Sequence, residues 1–319
     1  MLSEYSCLAE AEGKTVLTRV DENVWIVDTM ALARPGVVAA YIVRGNESAL
    51  IDTGYASSAA TLLLDITEAG IGPQGIDYLL PTHVHLDHAG GCGVLAETFP
   101  HASVRVHPKG ERHLVDPSKL WKGATELFGD NLMAQYGMPL PINAERVETI
   151  ADGESVSLGA GVTLRAIWTP GHASHHLSYV LDGRRSVFTG DAIGITYPAF
   201  PVLIPTTPPT SFNLPEAIKS LQRIREESPS RLLSPHYGII DDPIDSIEAN
   251  IRSLPDWTEK IESMRRNKLS TDAITSRLSD AIARRGGKNL SALPEYAQGS
   301  IRLSVLGVIR YLEFAGSMR

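Results

Sequence analysis

The stretch PTHVHLDHAGGCG, residues 81–93, puts three histidines and an aspartate into the six positions from His83 to His88. The whole chain of 319 residues has only ten histidines. A metal cage, a pH-sensitive patch and chance are the competing explanations for the crowding. The apolar run IDYLLPT (76–82) reads as a buried strand that delivers the chain into the cluster, and GGCGVLAETFP reads as a helix that leaves it. Neutral imidazole and carboxylate are ligands that zinc, iron and manganese accept. The spacing H-x-H-x-D-H is far more specific than a lone pair of histidines.

On either side of the cluster the pattern is β-rich. NVWIVDT (23–29), VVAAYIVRG (37–45) and ESALIDTG (47–54) read as strands, a helix is expected over 57–69, and SVRVHP (103–108) is a further strand. Strand signals return at VETI, SVSLG, VTLRAIWTP, HLSYVLDG and SVFTGDAI, then at RLLSPHYG. Three more candidate ligands lie where such runs give way to Gly or Pro: His172 in TPGHASHH, Asp191 in FTGDAIG and His236 in SPHYG. In a β-layered fold, positions of that kind meet at one edge of the sheets.

At this point the residues resemble the metallo-β-lactamase fold hydrolases. THVHLDH, then TPGH, then TGD, then a late strand-end histidine occur in the family's order, over roughly residues 20–241. The likeness is strongest to members with a full binuclear set, such as glyoxalase II and the acyl-homoserine lactonases. It implies an α/β fold, an αββα sandwich with the metals at one edge between two sheets. It implies that His83, His85 and His172 take one divalent metal, that Asp87, His88 and His236 take a second, and that Asp191 bridges both. Zinc is the expected metal, with iron or manganese as alternatives. A hydroxide shared by two such ions would be the nucleophile. Asp87, Asp191 and Tyr197 are the expected catalytic residues, Tyr197 because a tyrosine just after the bridging aspartate holds or protonates substrate in the lactonases. Here the spacing is longer, six residues past Asp191, and Tyr237 is an alternative donor. Packing is the competing reading for both tyrosines. Asp52 in LIDTG either orients a ligand histidine or caps the turn after its strand, with equal weight.

The remaining candidates read as structural. His175 and His176 are expected to begin the next strand, one of them facing solvent. His107 is expected to be a satisfied, partly buried histidine, His101 and His113 to be surface residues, and Cys92 to be a small buried thiol.

Two segments fall outside the α/β pattern. Residues 109–146 are mostly helical with scattered aromatics, and from 243 onward the chain is all helical. The expected organisation is a catalytic domain over 1–242 with a helical insertion at about 109–146, and a C-terminal helical region over 243–319 packing near the active site. These helices are expected to wall the substrate pocket or to form a homodimer. Residues 194–213 contain five prolines and are expected to form a long irregular loop.

Composition narrows the function classes. Net charge is −8, with 12 Lys and Arg against 9 Asp and Glu from Ile244 onward, so the acidity lies in the body of the chain. That argues against nucleic acid as the main partner. The longest apolar run, Val37–Val43, is far short of a membrane span. The N-terminal stretch MLSEYSCLAEAEG does not read as a secretion signal, and two cysteines, Cys7 and Cys92, with no CxxC pair suit a reducing cytoplasm. The leading expectation is a metal-dependent hydrolase that cleaves a small-molecule ester-like bond: a thioester, lactone or related ester. A phosphodiesterase using the same binuclear site, a mononuclear iron sulfur dioxygenase-like enzyme held by His83, His172 and Asp191, and a ligand-binding regulator with a vestigial site are the alternatives.

Overall fold

The computed structural model describes residues 17–317. Cys7 and the acidic N-terminal stretch read above lie outside the described residues.

One sheet is built from β1 (Thr18–Asp21), β2 (Val24–Asp28), β3 (Ala39–Arg44), β4 (Ser48–Ile51), β5 (Tyr78–Leu80), β6 (Ser103–Val106) and β7 (Val147–Thr149), in that spatial order. Its first four strands are antiparallel neighbours, and β4 to β7 run parallel. Parallel neighbours need a crossover. Those crossovers carry α1 (Ala59–Glu68), α2 (Leu86–Ala89), α3 (Cys92–Thr98), α4 (Glu111–Val115), α5 (Ser118–Phe128) and α6 (Asp130–Tyr136). The segment expected to be a helical insertion therefore holds the last three of these.

The second sheet uses β8 (Ser155–Gly159), β9 (Val162–Trp168), β10 (Leu177–Leu181) and β11 (Ser186–Phe188). After a separate ribbon, β12 (Ile195–Tyr197) with β13 (Phe200–Ile204), it is completed by β14 (Arg231–Ser234) and β15 (Gly238–Ile240). Its order is β15-β14-β11-β10-β9-β8. Helix α7 (Leu214–Glu226) precedes β14, and α8 (Pro243–Arg266), α9 (Thr271–Arg285) and α10 (Glu295–Ser317) follow β15.

Side-chain alternation sets the layering. In β3, Ala39, Tyr41 and Val43 enter the core between the sheets, together with Leu164, Tyr179, Phe188 and Leu233 of the second sheet. Ala40 and Ile42 point to the other face, where Leu62, Ile66, Leu95 and Phe99 of α1 and α3 cover them. On the outer face of the second sheet, Val180, Val187 and Leu232 meet Leu221 and Ile224 of α7 and Trp257 of α8. Burial on both faces is why these strands read as nearly continuous apolar runs. The result is the expected αββα sandwich. Tyr41 ties its sheets together, donating its hydroxyl to Ser234 O at 2.6 Å and meeting the Phe188 ring edge-on at 5.3 Å. Truncating Phe188 to Ala in this core would cost about 3–5 kcal/mol.

The proline-rich segment 194–213 departs from expectation. It contains the antiparallel ribbon β12–β13, with Ile195 opposite Ile204 and Tyr197 opposite Phe200. A two-stranded ribbon has two free edges, so a proline in β13 such as Pro201 removes no essential ladder bond. Ile195, Tyr197, Phe200 and Ile204 are buried, which anchors the ribbon. The strand expected to reach His236 stops at Ser234, and a return strand, β15, follows. Among the described residues no helix is long and apolar enough to cross a membrane.

Candidate metal centre

The C-terminal ends of β4, β5, β9, β11 and β14 open onto one edge of the sandwich. Asp52 follows β4, His83 and His85 follow β5, His172 follows β9, Asp191 follows β11 and His236 follows β14. Asp87 and His88 sit on the four-residue helix α2, which starts inside the histidine cluster itself. Strand ends separated by long stretches of sequence thus place all seven candidate ligands together.

Their donor atoms form two groups. His83 Nε2 and His172 Nε2 each lie 2.9 Å from His85 Nδ1. On the other side, His88 Nε2 lies 3.3 Å from His236 Nε2, and Asp87 Oδ2 lies 3.7 Å from His88 Nε2 and 3.5 Å from His236 Nε2. Asp191 faces both groups. Its Oδ2 is 3.4 Å from His172 Nε2, while its Oδ1 is 3.3 Å from His88 Nε2 and 3.4 Å from His236 Nε2. Each of the triads His83–His85–His172 and Asp87–His88–His236 could hold a metal ion, and so could His83–His88–Asp191.

Surrounding groups decide which ring nitrogen faces inward. His88 Nδ1 lies 3.0 Å from the Asp52 carboxylate, His236 Nδ1 lies 3.0 Å from Val37 O and His172 Nδ1 lies 3.4 Å from Thr206 O. Those oxygens only accept, so each Nδ1 carries the proton and donates. The Thr82 hydroxyl donates to Asp52 Oδ1 at 2.9 Å and therefore accepts from His83 Nδ1 at 3.1 Å. Whenever one of these four rings is neutral, its Nε2 lone pair consequently points at the centre. This is how outer hydrogen bonds orient ligands around a metal. Asp52 also accepts the Thr82 backbone N–H at 2.8 Å, and it does so from the left-handed backbone region, φ 59°. Its partners Thr82 and His88 lie far from the turn after β4 in sequence, so the carboxylate does more than cap that turn. Of the two readings of Asp52, orientation of a histidine is the one seen here, through the contact with His88, a candidate ligand.

Electrostatics separate the two groups. Burial holds His83 and His172 below the usual histidine range and pushes His85 down to about 3, with repulsion from neighbouring rings adding to it. These rings are neutral and their lone pairs are free to bind a cation. Burial also opposes charge on His88 and His236, but Asp191 and Asp87 outweigh it and raise both. For Asp87 and Asp191 burial favours the neutral acid, yet the adjacent histidines hold both carboxylates well below the usual range. Asp191 Oδ1 is buried without a hydrogen-bond partner. An anionic oxygen in that state, facing imidazole lone pairs, fits a bound cation.

The other candidates divide. Tyr197 is buried, with its ring 6.4 Å from that of His236, and its hydroxyl is 2.9 Å from Ser300 Oγ on α10. Burial raises its pKa, so it stays protonated. Tyr237 is engaged with the Asp28 carboxylate instead. His107 is buried as expected, stacked on Trp168 at 5.5 Å. Cys92 is a free buried thiol, pushed up to about 12 by burial, and His101 is exposed.

Three histidine expectations change. Strand β10 starts at Leu177, so neither His175 nor His176 begins it, and both are buried. His176 Nε2 instead accepts the Asp191 backbone N–H at 2.9 Å. His113 is half-buried, 6.3 Å ring to ring from His175. Rings from other segments of the edge meet them, His83 facing His175 and His176 and His175 facing His113, and local sequence does not report it. Thr82, Thr206 and His176 carry supporting roles that the sequence reading missed. The signals available were the position of Thr82 beside His83 and the repeated His in TPGHASHH.

The C-terminal helices approach this edge. Asn250 and Leu254 of α8 line a small cavity with His172, Asp191 and Thr206, and Ser304 of α10 hydrogen-bonds with the 205–207 segment.

A family model described as the metallo-beta-lactamase superfamily matches residues 33–236. A metallo-beta-lactamase fold-containing protein of Sulfurisphaera tokodaii is 30% identical over 215 residues, covering 66% of this chain and 76% of that protein. A metallo-beta-lactamase family structure from Thermus thermophilus superposes with a TM-score of 0.60 over 88% of this chain and 89% of that one. At 22% identity that likeness is one of fold. An atrochrysone carboxyl ACP thioesterase of Aspergillus fumigatus is 31% identical over 149 residues, 47% of this chain and 37% of that enzyme. The chain thus spans little more than a third of the thioesterase.

Proposed function

The chain belongs to the metallo-β-lactamase superfamily, and from that premise we propose that it is a binuclear metal-dependent hydrolase of an ester-like bond, a thioester or lactone. The observation that carries the reading is Asp191, whose two carboxylate oxygens face different ligand groups while one of them lacks any hydrogen-bond partner. His83, His85 and His172 would hold one divalent ion, Asp87, His88 and His236 the other, and Asp191 both. Bound there, two such ions supply a water nucleophile at neutral pH and polarise the scissile carbonyl.

The chain's own residues supply the rest. Asp52, Thr82, Thr206 O and Val37 O keep four Nε2 lone pairs aimed inward. Asp87 is ionised and partly open to solvent, which suits it to accept a hydrogen bond from the attacking water and orient it. Tyr197, protonated and with its ring 6.4 Å from that of His236, would donate to the leaving oxygen or sulfur once its hydroxyl turned from Ser300. Thioester chemistry is favoured over phosphodiester chemistry by the thioesterase-named relatives, and the acidic body of the chain weakens the nucleic-acid version of the latter.

The test is a turnover screen over thioesters, lactones and phosphodiesters, before and after chelation. Thioester or lactone cleavage that chelation abolishes and a divalent ion restores is expected. Full activity in metal-free protein, or cleavage of phosphodiesters alone, would sink the reading.

A further inference from the structure

Between β9 and β10 the chain carries three histidines, and only His172 is among the candidate ligands. His176 is completely buried beneath the centre, with its ring 5.0 Å from His83 and 5.9 Å from His172. Its two nitrogens belong to a polar chain with both ends fixed. At one end, the Asp191 backbone N–H can only donate, and it lies 2.9 Å from His176 Nε2. At the other, Thr189 O can only accept, and Ser178 Oγ lies 3.0 Å from it. Between them run His176 Nδ1 to Thr169 Oγ1 at 2.8 Å and Thr169 Oγ1 to Ser178 Oγ at 2.9 Å.

Only one set of proton positions satisfies every link. Ser178 gives its hydroxyl proton to Thr189 O, so it accepts from Thr169. Thr169 therefore accepts from His176 Nδ1–H, which leaves Nε2 as the acceptor that Asp191 N–H requires. The network begins at residue 191 and ends at residue 189, so it closes around the turn that carries Asp191. Thr169, His176, Ser178 and Thr189 are each at most 1% exposed, so water does not compete for these bonds. Gly190, in the middle of the turn, has φ 49°, and a Cβ there would lie 2.4 Å from His176 Nε2. The turn and the imidazole are thus fitted to each other.

We propose that His176 is a positioning residue: with Thr169 and Ser178 it forms a closed hydrogen-bonded clamp on the Thr189–Gly190–Asp191 turn and sets the placement of the carboxylate that serves both ligand groups. The proposal rests on the binuclear reading for its consequence, but the clamp has a readout of its own.

Chelator-treated protein titrated with cobalt(II), followed by visible absorption and calorimetry, tests the consequence. Wild type is expected to bind two equivalents. His176→Leu is expected to weaken both by about 10–100-fold, the range seen when groups supporting metal ligands are lost. His176→Gln, whose amide oxygen accepts the Asp191 N–H, is expected to recover most of that loss. A folded Leu variant that binds both ions as wild type does, or a Gln variant no better than Leu, overturns the proposal. If the Leu variant does not fold, ring ¹⁵N shifts of His176 in the wild-type protein decide. A proton on Nδ1 supports the clamp and a proton on Nε2 overturns it. A wild type that binds no cobalt(II) refutes the binuclear reading, while the tautomer still reports on the clamp.

Discussion

The two halves of the centre use the same residue type in opposite electrostatic states. His83, His85 and His172 form an all-imidazole group in which burial and mutual repulsion keep every ring neutral. His88 and His236 are as deeply buried, yet Asp87 and Asp191 raise both. What differs is the company of carboxylates. A histidine's readiness to bind a cation is therefore set by its neighbours more than by its depth. The first group offers lone pairs at once. The second must release a proton first, so its affinity for metal falls more steeply as pH drops.

The strongest way to break this contrast is to remove the member that both halves share. Asp191→Ala is expected to lower kcat/KM by at least about 10³-fold, equivalent to roughly 4 kcal/mol of transition-state stabilisation, and to disturb both groups. Retention of two tightly bound ions and near-normal turnover would refute its bridging role. Tyr197→Phe probes the side of the second group, and a fall in kcat of about 10²-fold with little change in KM is expected if the hydroxyl donates a proton. Unchanged turnover of the cognate substrate would leave Tyr197 with packing alone.

Asp52→Ala sharpens the contrast, because Asp52 contacts His88 directly and the first group only through Thr82. Competitive chelation should show about 10–100-fold weaker binding at the second group, with a smaller change at the first. Equal losses at both would show that Asp52 supports the edge as a whole.

The two halves also predict opposite pH limbs for the metal-free fold. His85 is near 3 when folded, against an ordinary 6.5. Its folded pKa is depressed, so folding is favoured above 6.5 and that advantage is lost as pH falls toward about 3. His88 is raised, so its contribution is present below 6.5 and is lost as pH climbs through its folded value. Urea midpoints of chelated protein should therefore decline on the acid side, and His85→Gln should flatten that limb. An unaltered acid slope in the variant would count against the assignment. The smallest effect is expected away from the candidate ligands. Ser300→Ala removes one partner of the Tyr197 hydroxyl and should cost about 1 kcal/mol, read as a shift in the urea midpoint.

Much of this was legible in the sequence because the motif is local. His83, His85, Asp87 and His88 fall within six positions, and TPGH, TGD and SPHYG mark strand ends by their Gly and Pro. Apolar runs of strand length pointed to an α/β layered fold, and the resemblance carried by the motifs implied the double-sheet sandwich. The ribbon in 194–213 did not, because prolines argue against strands unless the edges are free, and edge status is a tertiary property. The half-buried His113 was missed for a similar reason, since what covers it comes from elsewhere in the chain.

By itself, then, the sequence carried the ordered motifs, local in residue type and spacing, whose resemblance to the family implied the sandwich and the seven candidate ligands. Only the tertiary structure supplied the geometry behind the division that the resemblance implied. It placed one oxygen of Asp191 on each side, turned the Nε2 atoms inward through Asp52, Thr82, Thr206 O and Val37 O, and set His176 beneath the turn. Hydrogen bonds between strand ends far apart in sequence do this, and whether a buried donor meets an acceptor depends on packing that no local pattern encodes.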